Sequence, residues 1–338
     1  MKLVVGMGSI EEYTRLAKAG ADEVFVGYVP YSYYEKYGNL LAANRREVSF
    51  YHVQIHTETD MILLKRMMDI YHVPVSITWN ALYYSDEQKN DIFRLMIRLL
   101  EIGFDRFIVS DLGMLSFLQE KGVKAQIEVS GELGEMNHLV KDWLFQEYGE
   151  KPGISRIIFQ RKTAIPDMQK ITDDAHEWEA FLMNENCQFS GGYCNSMHCD
   201  EMVHMCLMPY ELKPVEQQKV AGIVNGVEGV LETTEESLGT DGSEGEEAWE
   251  ELEQDIPGTT GCGLCSLWKL REAGITHLKI VGRGMSPECV VKDVKAAKKA
   301  LEILEHAEDE ASFVQNMKQS IFSLGCSDNC YYCGNCGL

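Results

Sequence analysis

Several features are scarce or absent in this 338-residue sequence, and each absence removes a class of protein. No apolar run approaches the roughly 18–20 residues that span a bilayer, so we expect no membrane segment. The apolar stretch Met1–Met7 is too short for a secretory signal, which predicts a cytoplasmic protein. Basic residues number 31 against 53 acidic ones, giving a net charge of −22, and no basic stripe is present. Direct nucleic-acid binding is therefore disfavoured.

Positive charge is missing altogether between Lys219 and Lys269, where 12 carboxylates lie between Glu228 and Asp255. Most of the stretch Thr233–Gly258 consists of Gly, Glu, Ser, Thr and Asp. Such low-complexity composition is typical of a solvated, flexible insertion. The sequence leaves open whether this acidic segment is a plain linker or an arm that docks a partner.

Cysteine is absent from the first 186 residues and then becomes abundant. The 11 cysteines stand at positions 187, 194, 199, 206, 262, 265, 289, 326, 330, 333 and 336. Clustered cysteines in a cytoplasmic chain indicate metal ligands rather than disulfides, and the odd number agrees with that interpretation.

Short apolar runs alternate with amphipathic segments over most of the chain, as in the strand Val75–Trp79 and the helix Asp86–Ile102 that follows it. This alternation indicates right-handed βαβ units and a parallel sheet. Seven or eight such units favour a TIM-like (β/α)8 barrel over an open sheet. We predict four parts: residues 1–185 and 266–310 form the barrel, 186–265 a Cys-rich and acidic insertion, and 311–338 a helix and a Cys-rich tail.

The tail carries four thiols within 11 residues, at Cys326, Cys330, Cys333 and Cys336. Short spacings of this kind present successive sulfurs to one iron–sulfur cluster. Four thiolates also satisfy tetrahedral zinc, which is the alternative. Because all four thiols are local, we expect the tail to bind a [4Fe–4S] cluster without help from the barrel and to transfer electrons. Its C-x₃-C-x₂-C portion also matches the radical-SAM signature, but that motif normally follows the first strand of a barrel.

Six further cysteines form a second set. Long stretches of chain separate some of its members, so only folding can bring their thiols together. They are Cys187, Cys194, Cys199, Cys206, Cys262 and Cys265. Buried inert thiols could account for one or two of them but not for all six. This set predicts a metal site inside the protein.

Three segments together resemble peptidase family U32, the collagenase-like peptidases. Gly20–Gly27 is similar to the family's GADxVYxG strand, Glu179–Cys194 to its E-x-F…C-x₆-C segment, and Cys262–Arg283 to its C-x₁₁-AG(I/V)-x₂-LKIEGR segment. Arg156–Arg161 also resembles its RVVLAR strand. The resemblance covers most of residues 1–305, and the Cys-rich tail is additional to it.

The resemblance implies a TIM-like barrel that binds a [4Fe–4S] cluster through four cysteines. Carried over by motif, these would be Cys187, Cys194, Cys206 and Cys262, with Cys199 and Cys265 as the uncertain neighbours. The chain departs from the family pattern where Met183-Asn184 replaces His-Gly and where Val281 replaces the Glu of LKIEGR. Substrate and reaction can therefore differ from those of better-known members.

The resemblance implies two activities, peptide hydrolysis and oxygen-independent hydroxylation. The sequence contains no GxSxG elbow, and His176-Glu177 lacks the second His of HExxH. At the predicted mouth of the barrel, Arg161, Lys279 and Arg283 could clamp a carboxylate. We therefore predict an iron–sulfur redox enzyme that catalyses oxygen-independent hydroxylation or related chemistry on a small or aromatic substrate; an anionic small molecule and a redox partner protein are the partners that fit this chemistry. A U32-type peptidase and a non-catalytic electron-transfer or scaffold subunit are the alternatives.

Overall fold

A ring of eight parallel strands stands at the centre of the protein, which confirms the predicted TIM-like barrel. The computed structural model describes residues 1–38, 41–46, 53–134, 136–187, 256–322 and 325–332. Within these residues the strands are β1 (Lys2–Met7), β2 (Glu23–Tyr28), β3 (Gln54–Ile55), β4 (Val75–Trp79), β5 (Arg106–Val109), β6 (Gln126–Val129), β7 (Ile154–Ile158), β8 (Glu177–Met183) and β9 (His277–Ile280). The ring runs β1-β9-β8-β7-β6-β5-β4-β2 and closes where β2 pairs with β1, while β3 adds to β2 outside it.

Helices follow the strands and surround the ring. Those in the described residues are α1 (Glu12–Ala19), α2 (Tyr31–Tyr37), α3 (Glu58–Tyr71), α4 (Asp86–Ile102), α5 (Leu112–Glu120), α6 (His138–Tyr148), α7 (Ile165–Ile171), α8 (Leu267–Glu272), α9 (Pro287–His306) and α10 (Glu310–Ile321). None of them combines the length and apolar content that crossing a membrane requires.

Local signals explain why α4 begins and ends where the sequence predicts. The Ser85 side chain accepts from the Gln88 amide at 3.2 Å, and the Gln88 side chain accepts from the Ser85 amide, so the two form a capping box. At the other end Gly103 has a φ of 109°, a left-handed conformation that glycine adopts without a Cβ penalty. The bounds Asp86–Ile102 are those predicted.

The barrel interior is arranged in layers along the strands. Charged side chains occupy the lower layer, with Glu23 on β2, Arg156 on β7 and Glu179 on β8. Two residues further along each strand the interior is apolar, in a cluster that contains Phe25, Ile158 and Phe181. Parallel strands all run the same way, so their C-terminal ends open together into a mouth above this apolar layer.

The sequence pattern does not reveal four of these elements: β3, β8, α2 and α7. The strand β3 has only two residues, too few to form a recognisable apolar run. The strand β8 was not predicted because its polar residues Glu177 and Glu179 break the apolar run, although both face ion-pair partners on neighbouring strands. The short helices α2 and α7 lack the length at which a 3.6-residue period becomes visible. The acidic segment 228–255 lies outside the described residues.

Candidate functional site

A small pocket, with a cavity volume of about 60 Å³, opens at the mouth of the barrel. Its wall is built from the ends of several strands and from the loops that follow them. The lining residues are Phe25, Arg45, Arg46, Thr78, Asn80, Ile108, Ser130, Gly131, Glu132, Ile158, Arg161, Phe181, Glu185, Lys279, Val281 and Arg283. All three cations predicted to clamp a substrate are among them, so the structure brings Arg161, Lys279 and Arg283 to one place.

Positive charge exceeds negative charge in this pocket, whose lining has four arginines against two glutamates. Glu132 is shared by Arg161 at 3.3 Å and Arg45 at 3.4 Å. Glu185 is shared by Arg161 at 3.6 Å and by Arg46. Burial opposes the charge of Arg161, but neighbouring groups, led by Glu132, outweigh it and raise the pKa of the guanidinium.

Arg283 differs from the other arginines of the pocket. Its exposed fraction is only 6%, and among the described residues no carboxylate forms an ion pair with it. Its Nη1 donates to Thr78 Oγ1 at 3.3 Å, and its guanidinium lies 5.9 Å from the centre of the Phe25 ring. Burial, together with the charge of Arg46, lowers the pKa of Arg283. A guanidinium in this position lacks a negative partner and is suited to bind an anion.

Lys279 is paired with a carboxylate of the lower, charged layer of the barrel. Its Nζ donates to Glu179 Oε1 at 2.6 Å, and it lies 3.8 Å from the centre of the Phe25 ring. Burial favours the neutral form of Glu179, but Lys279 and Arg156 outweigh it and lower the pKa of that carboxyl. Lys279 lines the floor of the pocket, but Glu179 in the lower layer balances its charge. Lys279 is therefore a weaker ligand for an anion than Arg283.

Three segments that carry cysteines meet beside the mouth: the residues after β8, those before α8, and the tail. Cys262 forms an antiparallel bridge with Met183 and a parallel bridge with Cys330. Its amide donates to the Asn329 carbonyl at 2.8 Å, and its carbonyl accepts from the Tyr331 amide at 2.9 Å. The tail residues 327–332 thus pack against the barrel, whereas the sequence suggested a self-contained unit.

The thiol of Cys262 lies among other thiols. Burial raises the pKa of Cys262 to about 12, and the neighbouring Cys265 and Cys326 add to this rise. Cys187 lies close enough to Arg161 and Tyr331 to affect the pKa of both groups. The structure therefore brings members of both predicted cysteine sets to one side of the barrel mouth.

Neither predicted ligand set is complete in the part of the chain that the structure describes. Four of the predicted ligands lie outside it: Cys194, Cys206, Cys333 and Cys336. Among the residues that are described, no three His, Cys, Asp or Glu side chains form a group that could hold a metal ion. Both cysteine sets accordingly stay predictions.

Sequence reasoning missed four side chains at or beside the mouth. Arg45 and Arg46 lie between α2 and β3, where no strand end in the sequence marks them as part of the mouth. Glu185 follows β8, which the pattern did not reveal as a strand. Tyr331, within the tail, reaches the mouth only through tertiary packing.

Comparison with protein-family models identifies one family. The sequence model described as peptidase family U32 matches residues 8–336 of the chain, so the match extends into the Cys-rich tail, which the resemblance in sequence had left outside the family pattern. Among solved structures, that of the U32 peptidase Mk0906 is similar, with 11% sequence identity and a TM-score of 0.38, over 54% of this chain and 69% of that one. No match was found among curated proteins.

Proposed function

Because the chain belongs to peptidase family U32, we propose that it is a redox enzyme that binds a small carboxylate at the barrel mouth and hydroxylates its substrate without dioxygen. In such a reaction the oxygen atom comes from an organic donor. The substrate carbon is oxidised by two electrons, and the donor that loses its oxygen is reduced by two. The observation that carries the proposal is Arg283, a buried cation that faces the pocket with no carboxylate paired to it among the described residues.

The chain's own residues bind and enclose the substrate. A bidentate contact from Arg283 would fix the carboxylate, and Thr78 already orients that guanidinium. Phe25, Phe181 and Ile158 form apolar walls, which strengthen the ionic contact by excluding water. Lys279 holds a proton at Nζ on the pocket floor, next to Glu179, and can donate it to an oxygen atom that develops negative charge.

The donor set suits an iron–sulfur centre by its chemistry, because cysteine thiolates are the ligands that hold such clusters. Cys187, Cys194, Cys206 and Cys262 would hold an inner [4Fe–4S] cluster. Cys326, Cys330, Cys333 and Cys336 would hold a second one, with zinc as the alternative. Of these, Cys187 lies beside Arg161, and Cys262 lies beside Cys326. When bound, an iron–sulfur cluster supplies one-electron redox chemistry.

Peptide hydrolysis is the second candidate, favoured by the family's description. His176, which opens the incomplete HExxH pattern, bonds to Asp173 at 2.8 Å. It precedes β8 and so lies at the end of the barrel opposite the pocket. This position gives no support to a hydrolytic role for His176.

Metal content tests the redox part of the proposal. After anaerobic purification we expect about eight irons and eight acid-labile sulfides per chain, as two cubane clusters require. Electron paramagnetic resonance after reduction should show two signals. About half the iron should be lost in Cys194→Ala. Stoichiometric zinc without iron, or casein cleavage beyond that of a cluster-free control, would contradict the redox assignment.

Calorimetry tests the pocket independently of the metal. Benzoate should bind to the purified protein, and Arg283→Met should weaken it about 10- to 100-fold, the range for a charge-assisted hydrogen bond. Arg98→Met is the matched control, since Arg98 is a half-exposed surface arginine. Equal benzoate affinity in the parent protein and Arg283→Met would refute the anion site.

A further inference from the structure

The tail packs a side chain against the wall of the pocket. Asn329 and Tyr331 are fixed by backbone hydrogen bonds to Cys262, at 2.8 and 2.9 Å. The Asn186 side chain donates to Asn329 Oδ1 at 3.0 Å and to the Cys330 carbonyl at 3.2 Å. These contacts hold the segment across the end of β8.

The ring of Tyr331 packs onto the apolar wall of the pocket. It belongs to the same buried cluster as Phe25, Ile108, Ile158 and Phe181, all of which also line the pocket. It stacks on Phe181 with ring centres 6.4 Å apart and planes 19° apart, and its exposed fraction is 9%. The ring therefore lies behind the part of the pocket wall that Phe181 forms.

The hydroxyl of Tyr331 makes polar contacts behind the same part of the pocket wall. It donates to the Asn184 carbonyl, which follows β8. It also lies against Arg161, and the guanidinium of Arg161 in turn lies 4.2 Å from the centre of the Phe181 ring. One side chain thus covers the apolar wall and borders a pocket arginine.

We propose that Tyr331 is a specificity-determining residue of the pocket: its ring forms a roof behind the lining residues Phe181 and Arg161, holds them in place, and so keeps the pocket open to compact carboxylates and closed to longer ones. The inference rests on the proposed function, because it assumes that a carboxylate binds at Arg283. It extends that function by assigning the substrate class: a compact small anion, not a segment of a polymer. A cavity volume of about 60 Å³ favours a compact ligand.

Two carboxylates of different length test the roof by calorimetry. The parent protein should bind benzoate and discriminate against 4-biphenylcarboxylate. In Tyr331→Ala, affinity for the biphenyl acid should rise at least about 10-fold, since a second ring can then be buried. Tyr331→Phe keeps the ring and loses only the hydrogen bond to the Asn184 carbonyl, so it should keep the size preference and bind both acids within about 3-fold of the parent affinity. Tyr83→Ala is the control, because Tyr83 is 72% exposed.

A second measurement needs no ligand. Phenylglyoxal modifies arginine, and mass spectrometry can follow its reaction at Arg161. The rate should rise in Tyr331→Ala but not in Tyr331→Phe or Tyr83→Ala, with thermal unfolding used to verify that each variant is folded.

The outcomes separate the two proposals. If benzoate binds through Arg283 but Tyr331→Ala changes neither the size preference nor the Arg161 rate, the roof is wrong and the proposed function stands. If neither acid binds the parent protein while the Arg161 rate still rises in Tyr331→Ala, the roof stands as a structural cover and the carboxylate proposal fails. If neither acid binds and the rate is unchanged, both are overturned.

Discussion

The two ends of the barrel interior both bury charge, but they balance it differently. In the lower layer Arg156 is fully buried, and its guanidinium contacts Glu23 at 2.7 Å, Glu179 at 2.9 Å and Glu177 at 3.0 Å. At the mouth, Arg283 is almost as deeply buried, yet among the described residues it has no carboxylate partner. The same residue type thus occupies two environments of opposite electrostatic character.

The comparison of Arg156 with Arg283 distinguishes a buried charge that stabilises the fold from a buried charge that is suited to bind a ligand. A buried ion is tolerated when partners replace its lost hydration, as they do around Arg156. Glu128 adds to this balance, because burial, reinforced by Glu179 and Glu23, raises its pKa toward the neutral form. An uncompensated cation at the mouth costs stability, and an anionic ligand would remove that cost.

The largest expected effect is in the lower layer. Arg156→Met leaves Glu23 and Glu179 buried without their main partner, so the free energy of unfolding should fall by about 3–5 kcal/mol. Urea denaturation measures this change. The surface variant Arg98→Met should unfold close to the parent midpoint. A midpoint for Arg156→Met equal to that of the parent would mean that the lower network is not structural.

Lowering the pH should also weaken the charged lower layer and so reduce the stability of the protein. Burial disfavours ionised Glu23, but His277 and Arg156 outweigh it and lower the pKa of that carboxyl. A carboxyl with a lowered folded pKa stabilises the protein above its unfolded pKa of roughly 4.3, and this contribution is lost as pH falls below that value. Stability should then drop by up to about 1.4 kcal/mol per pH unit for each such group. Urea midpoints from pH 7 to pH 3 test this: Glu23→Gln should show a shallower decline, and the surface variant Glu305→Gln the parental one.

The barrel could be predicted from local pattern, whereas the charge balance of its interior could not. Bounds such as Val75–Trp79 follow from an apolar run next to a capped helix, and both signals are local. The pairing of Lys279 with Glu179 joins residues 100 positions apart, so no spacing rule reveals it. The sequence therefore does not distinguish the three cations Arg161, Lys279 and Arg283. Only the folded structure shows that the first two are paired with carboxylates and that, among the described residues, Arg283 is not.

At the mouth, the corresponding arginine substitution should have a small effect of opposite sign. Arg283→Met removes an uncompensated buried charge, so the free energy of unfolding should stay unchanged or rise by roughly 1 kcal/mol. Urea denaturation without any carboxylate present measures it. With saturating benzoate, the parent protein should be stabilised while Arg283→Met is not. If the free energy of unfolding instead falls by several kcal/mol in Arg283→Met, this arginine stabilises the fold as Arg156 does, and the two do not differ in role.

The smallest effect should come from Gly27, which sets the space around Arg283. A Cβ at this position would lie 1.8 Å from Gln54 Oε1 and 2.7 Å from Arg283 Nη1. Because these are the ends of side chains, they can move aside, and Gly27→Ala should fold while displacing the guanidinium. Benzoate affinity should then fall roughly 3-fold, as expected for one weakened hydrogen bond. Gly113→Ala on α5 is the control, since its Cβ would meet only the Asp111 carboxylate, at 3.2 Å. Full benzoate affinity in Gly27→Ala would show that the position of Arg283 does not govern binding, and the mouth would then owe its anion affinity to Arg45, Arg46 and Arg161 instead.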